Sequence, residues 1–231
     1  MPLAPGTTLA DLVLQRPASA DLLERLRLDY CCGGRRTLAE ACAERGLDAP
    51  TVIAMVEALG ERPQPGPDVH DVRRASIADL CDHIVHAHHE PTRRELTRIA
   101  ELLDRVVRVH GGRHPELADL RRVFTGLRTE LEEHFDLEEA TVFPACRALE
   151  AADSPSTVND GVLAMCEDSH EFAGEALSAM SELTGGYETE QAFCGTHRAL
   201  VEALQQFELD LHQHVHEENN VLFPRVRERV A

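Results

Sequence analysis

Two stretches of this 231-residue chain repeat one pattern of histidine, glutamate, phenylalanine and proline. The first, HFDLEEATVFP, runs from His134 to Pro144, and the second, HVHEENNVLFP, runs from His214 to Pro224. In both stretches a glutamate follows the histidine by four residues, a phenylalanine by nine and a proline by ten. The constant offset of 80 residues indicates an internal repeat, which constrains how everything between the two stretches folds.

The composition of the chain excludes several classes of protein. The formal charge is −18, so we expect neither nucleic acid nor an anionic membrane as a partner, because both require a basic surface. No apolar run reaches the roughly 18 to 20 residues that cross a bilayer, and the start of the chain lacks the pattern of a signal peptide. Seven irregularly spaced cysteines are typical of reduced thiols. These features predict a soluble, cytoplasmic protein.

Apolar residues recur at helical spacing along the chain, as in Leu204, Phe207 and Leu211. Runs that alternate as strands do are absent, so we predict an all-α fold. The segment 60–68 holds three Pro and two Gly and cannot continue a helix. It predicts a linker between a small N-terminal helical domain at 1–62 and a larger domain at 70–231.

Four long helices are predicted in the larger domain, at 74–109, 116–149, 158–184 and 190–229, with breaks at 110–115, 152–156 and 184–188. Short connections between long amphipathic helices favour antiparallel neighbours and hence an up-down four-helix bundle. The repeat makes the second and fourth helices counterparts. Histidines on the first and third helices match as well, because His89 and His170, each followed by Glu, lie 81 residues apart.

Each half of the repeat supplies three side chains that can bind a metal ion. Residues four apart share one face of a helix, so each His-x-x-x-Glu unit directs an imidazole and a carboxylate to one place in the bundle. The predicted ligands are His89, His134, Glu138, His170, His214 and Glu218. We expect two ions, bridged by the glutamates and bound terminally by the histidines. Mixed nitrogen and oxygen donors favour iron, manganese or zinc over calcium or magnesium.

The other nine histidines are predicted to lie outside the ligand set. Helical position alone does not separate His88 from His89, and the repeat selects His89. We expect His83 and His86 to face solvent or to line the entrance of the site. Pro91 has no N–H to donate, so it is expected to kink the first helix beside its ligand.

An adjacent pair of cysteines, Cys31 and Cys32, lies in the N-terminal stretch LDYCCGGRR. The two glycines that follow predict a tight turn, and Thr37 predicts the start of the next helix. Arg35 and Arg36 are expected to lower the pKa values of the thiols. Such a pair can exchange metal or carry two electrons through disulfide formation, whereas simple packing is the alternative. The remaining cysteines are predicted to be structural and within helices: Cys42, Cys81, Cys146, Cys166 and Cys194.

The two repeat stretches resemble the ligand signatures of hemerythrin-like di-iron proteins. Together, EENNVLFP and DYCCGG are similar to the repair-of-iron-centres family of iron–sulfur cluster repair proteins, from about Leu9 to Val230. The resemblance implies an oxo-bridged pair of non-heme iron ions, held by the four histidines and two glutamates named above. His88 stands where the family usually has Tyr, and Pro91 is also atypical.

The resemblance also implies a function, the repair of iron–sulfur clusters damaged by nitric oxide or oxidative stress. Iron donation or nitric oxide chemistry would take place at the di-iron centre. Cys31 and Cys32 would act as a reductant or as an acceptor of iron or nitric oxide. The implied partners are damaged iron–sulfur proteins, nitric oxide or oxygen as small ligands, and a second copy in a homodimer. The alternative is a hemerythrin-like protein that binds or senses oxygen or nitric oxide without turnover. The six-ligand symmetry and the absent zinc-finger spacing disfavour a zinc-binding or ubiquitin-ligase-like bundle.

Overall fold

The computed structural model describes residues 3–59, 72–150 and 158–230. Within these ranges the chain is helical and has no β-strand, only an isolated antiparallel bridge between Thr8 and Thr37, so the predicted all-α fold is confirmed. None of the helices described combines the length and the apolar content that crossing a membrane requires. The predicted linker at 60–68 and the break at 152–156 fall outside the described residues, so the domain boundaries stay a prediction.

Four short helices form the N-terminal part of the chain: α1 (Leu9–Gln15), α2 (Ala20–Arg25), α3 (Leu38–Glu44) and α4 (Ala49–Ala58). As predicted, Thr37 begins a helix, because Thr37 and Glu40 form a capping box at the start of α3. The helices pack around a small apolar core of their own, which includes the buried side chains of Leu12, Leu23 and Leu38.

Four long helices form the second part of the chain. They are α5 (77–110), α6 (116–150), α7 (Asp160–Leu183) and α8 (195–230). Their ends agree with the predicted ones, except that α8 begins at Gly195, later than expected. Cys194 is extended and its thiol accepts the backbone N–H of His197, which starts the helix there. The prediction that Cys194 lies within a helix is therefore wrong, whereas the other four structural cysteines do lie in helices.

Contacts at the helix ends show that sequential neighbours run antiparallel. The carboxylate of Glu150, at the end of α6, accepts hydrogen bonds from the backbone N–H groups of Ile77 and Ala78, at the start of α5. Near the end of α8, Arg227 forms an ion pair with Asp160, the first residue of α7. These contacts confirm the up-down four-helix bundle.

Three of the four bundle helices widen into a π-helical turn that ends two residues before a proline. The turns are Val85–His89 in α5, Glu138–Val142 in α6 and Glu218–Leu222 in α8. In each, the residue before the proline donates its N–H to the carbonyl five positions back. A proline ring clashes with the carbonyl four positions back, and the wider turn relieves that clash. The kink predicted at Pro91 is therefore a π turn. By contrast, α7 contains no proline and is α-helical throughout.

Two apolar clusters fill the interior of the bundle, and the predicted ligands lie between them. On α5, His89 lies between Ile84 of one cluster and Leu96 of the other. On α7 the two clusters flank His170 in the same order, and on α6 and α8 they flank Glu138 and Glu218 in the reverse order, as antiparallel helices require. The fold thus places a buried polar layer between two apolar ones.

Candidate metal centre

The six predicted ligands meet in the middle of the bundle. None is more than 4 % exposed, and Glu138 and Glu218 are fully buried. They form two groups in which the donor atoms lie within 4.8 Å of one another, namely His89, Glu138, His214 and Glu218 in the first, and His134, Glu138, His170 and Glu218 in the second. Because both glutamates belong to both groups, the geometry suits two cations bridged by two carboxylates. We call these six residues the metal layer.

The distances in the metal layer match those between donors on one ion. From Nε2 to the nearest carboxylate oxygen they are 3.4 Å for His89 with Glu138, 3.2 Å for His134 with Glu138, 3.0 Å for His170 with Glu218 and 3.1 Å for His214 with Glu218. Metal–ligand bonds of about 2.0 to 2.2 Å place two donors roughly 3 Å apart. The grouping joins α5 to α8 and α6 to α7, across the halves of the repeat, which the sequence does not predict.

Buried polar atoms without hydrogen-bond partners characterise the metal layer. Among the described residues, both carboxylate oxygens of Glu138 and of Glu218 lack a partner, as does Nε2 of His89 and of His214. The imidazoles approach these oxygens closely, yet without the alignment of hydrogen bonds. Burial of unsatisfied carboxylates costs several kcal/mol, about as much as a buried charge without a counter-ion. Since all these atoms face one another, the residues fit a pair of metal ions.

Hydrogen bonds from outside the metal layer fix the orientation of two ligand rings. Nδ1 of His89 lies 2.9 Å from the carboxylate of Glu139, and Nδ1 of His170 lies 2.8 Å from the amide oxygen of Asn219. When Nδ1 donates its proton outwards, Nε2 keeps its lone pair for the centre. Glu139 and Asn219 were not predicted from the sequence. Each directly follows a ligand glutamate, so their matched position in the repeat is the signal that could have found them.

The pKa values of the buried groups follow from burial and mutual charge. Burial, reinforced by the charge of Glu218, raises the pKa of Glu138 to about 7. Burial and the neighbouring His170 lower the pKa of His134 to about 3. Burial opposes a charge on His89 as well, yet the close approach of two carboxylates, those of Glu138 and Glu218, raises its pKa to about 10. At neutral pH, metal binding therefore requires that His89 lose its proton.

Phenylalanine rings cover the metal layer on the side of the apolar clusters. Phe135 stacks on His89 with ring centroids 4.2 Å apart. The phenylalanines of the two Phe-Pro elements also stack on ligands, Phe143 on His89 at 5.6 Å and Phe223 on His170 at 6.0 Å. The Phe-Pro elements of the repeat therefore pack against the metal layer, where their rings keep water away from the donors.

Comparisons with known proteins agree with this geometry. The family model of the hemerythrin HHE cation-binding domain matches residues 81–226, and that of a domain of unknown function, DUF542, matches residues 6–60. The chain is 31 % identical over 218 residues to the iron–sulfur cluster repair protein YtfE of Pectobacterium carotovorum, and the aligned residues cover 94 % of this chain and 95 % of that protein. It is also 31 % identical over 215 residues to the iron–sulfur cluster repair protein ScdA of Staphylococcus haemolyticus, and here the aligned residues cover 93 % of this chain and 95 % of that protein. The chain belongs to this family of iron–sulfur cluster repair proteins.

This member of the repair family has a second cluster of histidines and a carboxylate beside the metal layer. Nε2 of His83 and of His88 lie 3.0 and 3.1 Å from one oxygen of Glu217, the residue before Glu218. Despite burial, the two imidazoles hold the pKa of Glu217 well below its usual range. Of the two histidines expected to face solvent or to line the entrance, His86 has 73 % of its side chain exposed, whereas His83 has 23 % exposed and contacts Glu217.

Residues 31–34 of this repair-family chain, which we call the cysteine turn, pack directly against the bundle. Sγ of Cys32 lies 3.8 Å from the carbonyl oxygen of His170, and the Asn220 amide donates to the carbonyl of Cys31 at 2.9 Å. A Cβ at Gly34 would lie 2.7 Å from the amide oxygen of Asn220. This glycine is needed for the close approach of the turn to α8, whereas its predicted role was the turn itself.

The two thiols of the turn differ in acidity. The hydrogen bond from the Cys31 thiol lowers the pKa of Cys32, and the same bond, together with burial, raises the pKa of Cys31 well above its usual range. Arg35 and Arg36 were predicted to lower the pKa values of both thiols, but the pKa of Cys31 is raised. Arg36 pairs with two carboxylates instead, and the positive charges that lower the pKa of Cys32 come from histidines.

Proposed function

We propose that this chain repairs iron–sulfur clusters damaged by nitric oxide or oxidants, with two non-heme iron ions bound in the metal layer. The observation that carries the proposal is the shared pair of fully buried carboxylates, Glu138 and Glu218, whose four oxygens have no hydrogen-bond partner among the residues that the structure describes. The names of the relatives, iron–sulfur cluster repair proteins, support the reaction assigned to that site.

In this proposal each group of the metal layer would hold one ion, and Glu138 and Glu218 would be shared by both. In other four-helix bundles, carboxylates on facing helices hold pairs of iron ions in the bundle interior. Iron bound there supplies one-electron redox change and positions for a small ligand such as nitric oxide or oxygen. The protein orients the rings through Glu139 and Asn219. The stacked phenylalanines exclude water from the donors.

The cysteine turn supplies electrons in this proposal. Oxidation of two thiols to one disulfide releases two electrons and two protons, and the damaged cluster or its ferric iron accepts the electrons. Cys32 reacts first because its pKa is lowered, which raises the fraction of thiolate at neutral pH. Cys31, with its Sγ 4.0 Å from that of Cys32, completes the pair.

The second candidate function is a hemerythrin-like protein that binds or senses nitric oxide or oxygen without turnover. The buried metal layer serves that function equally well, since a carrier also needs a dry centre. The thiol pair packed against α7 favours repair, because a carrier has no use for a two-electron donor beside its metal site.

Damaged iron–sulfur proteins are the partners that repair requires. We further propose a cytoplasmic location, which the seven free cysteines of the chain support because thiols stay reduced there. A homodimer stays a prediction from the family, and light scattering on the purified protein tests it.

Reactivation of a damaged iron–sulfur enzyme tests the proposed function. An iron–sulfur hydratase inactivated with nitric oxide is mixed with the iron-loaded protein, and its activity and cluster absorbance are followed. We expect recovery with the wild-type protein and with the His86→Gln control, whose side chain is 73 % exposed. Glu138→Ala should give no recovery. Wild-type protein that binds nitric oxide but restores no activity would favour the carrier.

A further inference from the structure

A second possible metal-binding cluster, formed by His83, His88 and Glu217, adjoins the metal layer. The two Nε2 atoms converge on one oxygen of Glu217 at 3.0 and 3.1 Å, and the donor atoms of the three residues lie within 4.8 Å of one another. The other oxygen of Glu217 accepts a hydrogen bond from the Gln213 amide at 2.8 Å. Two imidazoles and one carboxylate with open positions are the ligand set typical of non-heme ferrous iron.

The π turn of α5 brings the two histidines of this cluster together. His83 and His88 are spaced i and i+5, which on a regular α-helix would separate their directions by ~140°. A π turn, which bonds i to i+5, brings such residues nearly into line. Their rings meet edge to face with centroids 5.5 Å apart. The same turn lets His88 and His89 both point inward, the first to Glu217 and the second to Glu138.

Burial distinguishes this cluster from an ordinary surface ion pair. The side chain of Glu217 is 6 % exposed and that of His88 is 11 % exposed. A carboxylate buried so deeply needs strong compensation, which a cation supplies as well as protonated imidazoles do. The nitrogen–oxygen distances near 3 Å also match the spacing of donors on one ion, roughly 3 Å for bonds of about 2.0 to 2.2 Å.

A surface pocket leads from solvent to the cluster. His88 and Gln213 line it together with two carboxylates, those of Glu95 and the exposed Asp210. Glu95 also pairs with Arg98, so Asp210 contributes the less compensated negative charge, and such charge attracts cations.

On its inner side, the cluster contacts the metal layer through stacked rings. The rings of His88 and of His214 are 5.2 Å apart between centroids and inclined by 10°. His214 belongs to the first group of the metal layer. The cluster therefore lies between the surface pocket and the bridged centre.

We propose that His83, His88 and Glu217 form a third metal site, which holds a divalent iron ion between the surface pocket and the metal layer. The role as a station for iron on its way to or from the centre rests on the proposed two-iron function, whereas binding by the three side chains does not. Three protein ligands leave open positions for water, which suits an ion that must leave again.

Crystallography at the iron absorption edge tests the third site. The protein is loaded without oxygen with three equivalents of Fe²⁺, and anomalous difference density locates each ion. We expect three peaks in the wild-type protein, one of them bounded by His83, His88 and Glu217. Glu217→Gln, which keeps the shape but removes the charge, should lose that peak and retain the other two. His86→Gln on the same helix is the matched control and should retain all three.

Iron content in solution gives an independent measure of the same prediction. It should fall from three ions per chain to two in Glu217→Gln and stay at three in His86→Gln. No peak at the three side chains of the wild-type protein, or a peak that persists in Glu217→Gln, would overturn the third site.

Two further outcomes of these experiments can be distinguished, namely loss of all iron in Glu217→Gln and a third peak without the two central ones. If Glu217→Gln disturbs the adjacent Glu218 and loses all its iron, His83→Gln decides, because His83 pairs with Glu217 and lies six residues before His89 along α5. It should lose one peak, and retention of that peak contradicts the proposal. A third peak without the two central ones would instead refute the two-iron function and leave the third site standing.

Discussion

The Nε2 atoms of His134 and His170 lie 3.1 Å apart in the centre of the bundle, although the two residues come from different halves of the repeat. Their rings meet edge to face, at 78°. Two protonated nitrogens at this distance would repel each other, and burial with the charge of His170 accordingly lowers the pKa of His134 to about 3. The neutral His134 thus offers its lone pair at the place where one of the two ions is expected.

Removal of a bridging glutamate should cost the protein at least one metal ion. Glu138 and Glu218 each belong to both groups of donors, so Glu138→Ala or Glu218→Ala weakens both positions at once. Elemental analysis of protein from iron-rich medium should give two or more ions per wild-type chain, mainly iron, and fewer in either variant. His212→Ala is the control, because His212 pairs with Glu24 outside the metal layer. Undiminished iron in both glutamate variants would show that the bridges are misassigned.

Loss of an outer hydrogen bond should weaken iron binding without abolishing it. Glu139→Ala and Asn219→Ala free the Nδ1 atoms of His89 and His170, so each ring loses its fixed tautomer. Such changes typically cost about 10- to 100-fold in metal affinity. Competition with a chelator measures the affinity, and Glu133→Ala, exposed on the same helix as Glu139, is the control. Equal affinity in all three variants would contradict the orienting role.

The repeat predicted that the six residues of the metal layer meet, because each half of the chain carries the same spacing and spacing is visible in a sequence. It could not predict Glu217 as a partner of His83 and His88, because helical periodicity of ~100° per residue places those histidines on different faces. The π turn that aligns them depends on how Pro91 is accommodated within the bundle. The packing of the cysteine turn against α7 and α8 could not be predicted either, because contacts between distant segments leave no periodic signal in the sequence.

Gly34→Ala should separate the docking of the cysteine turn from metal binding. The added Cβ would lie 2.5 Å from the carbonyl oxygen of Tyr30 and 2.7 Å from Asn220, so the turn must shift. We expect a loss of about 1 to 3 kcal/mol in stability, measured by denaturant unfolding. Iron content should stay unchanged, since the six ligands all lie in the bundle. Gly6→Ala is the control, because a Cβ there meets no atom within 4 Å. Unaltered stability in Gly34→Ala would contradict the close approach.

The acidity of Cys32 should depend on Cys31. The hydrogen bond from the Cys31 thiol favours the thiolate of Cys32 and lowers its pKa. In Cys31→Ala this donor is gone, so the pKa of Cys32 rises and its alkylation by iodoacetamide begins at higher pH. Mass spectrometry of the alkylated peptide across a pH series measures the shift. Cys42→Ala, buried in the N-terminal core, should leave the profile unchanged. A profile that moves to lower pH in Cys31→Ala would reverse the assignment.

Replacement of both cysteines of the turn should abolish repair while leaving the metal centre intact. All six residues of the metal layer lie in the bundle, and the Cys32 thiol meets the backbone carbonyl of His170 rather than its imidazole. Cys31→Ser with Cys32→Ser should therefore retain full iron content and the wild-type optical spectrum. Serine cannot form a disulfide, so the two electrons that the thiol pair supplies are lost. Recovery of a nitric oxide-damaged iron–sulfur enzyme should therefore fall to the rate without added protein. Full recovery with the double variant would reduce the turn to a packing element between the N-terminal helices and α8. Electrons for repair would then have to come from elsewhere, and the carrier function of the bundle would become the better account.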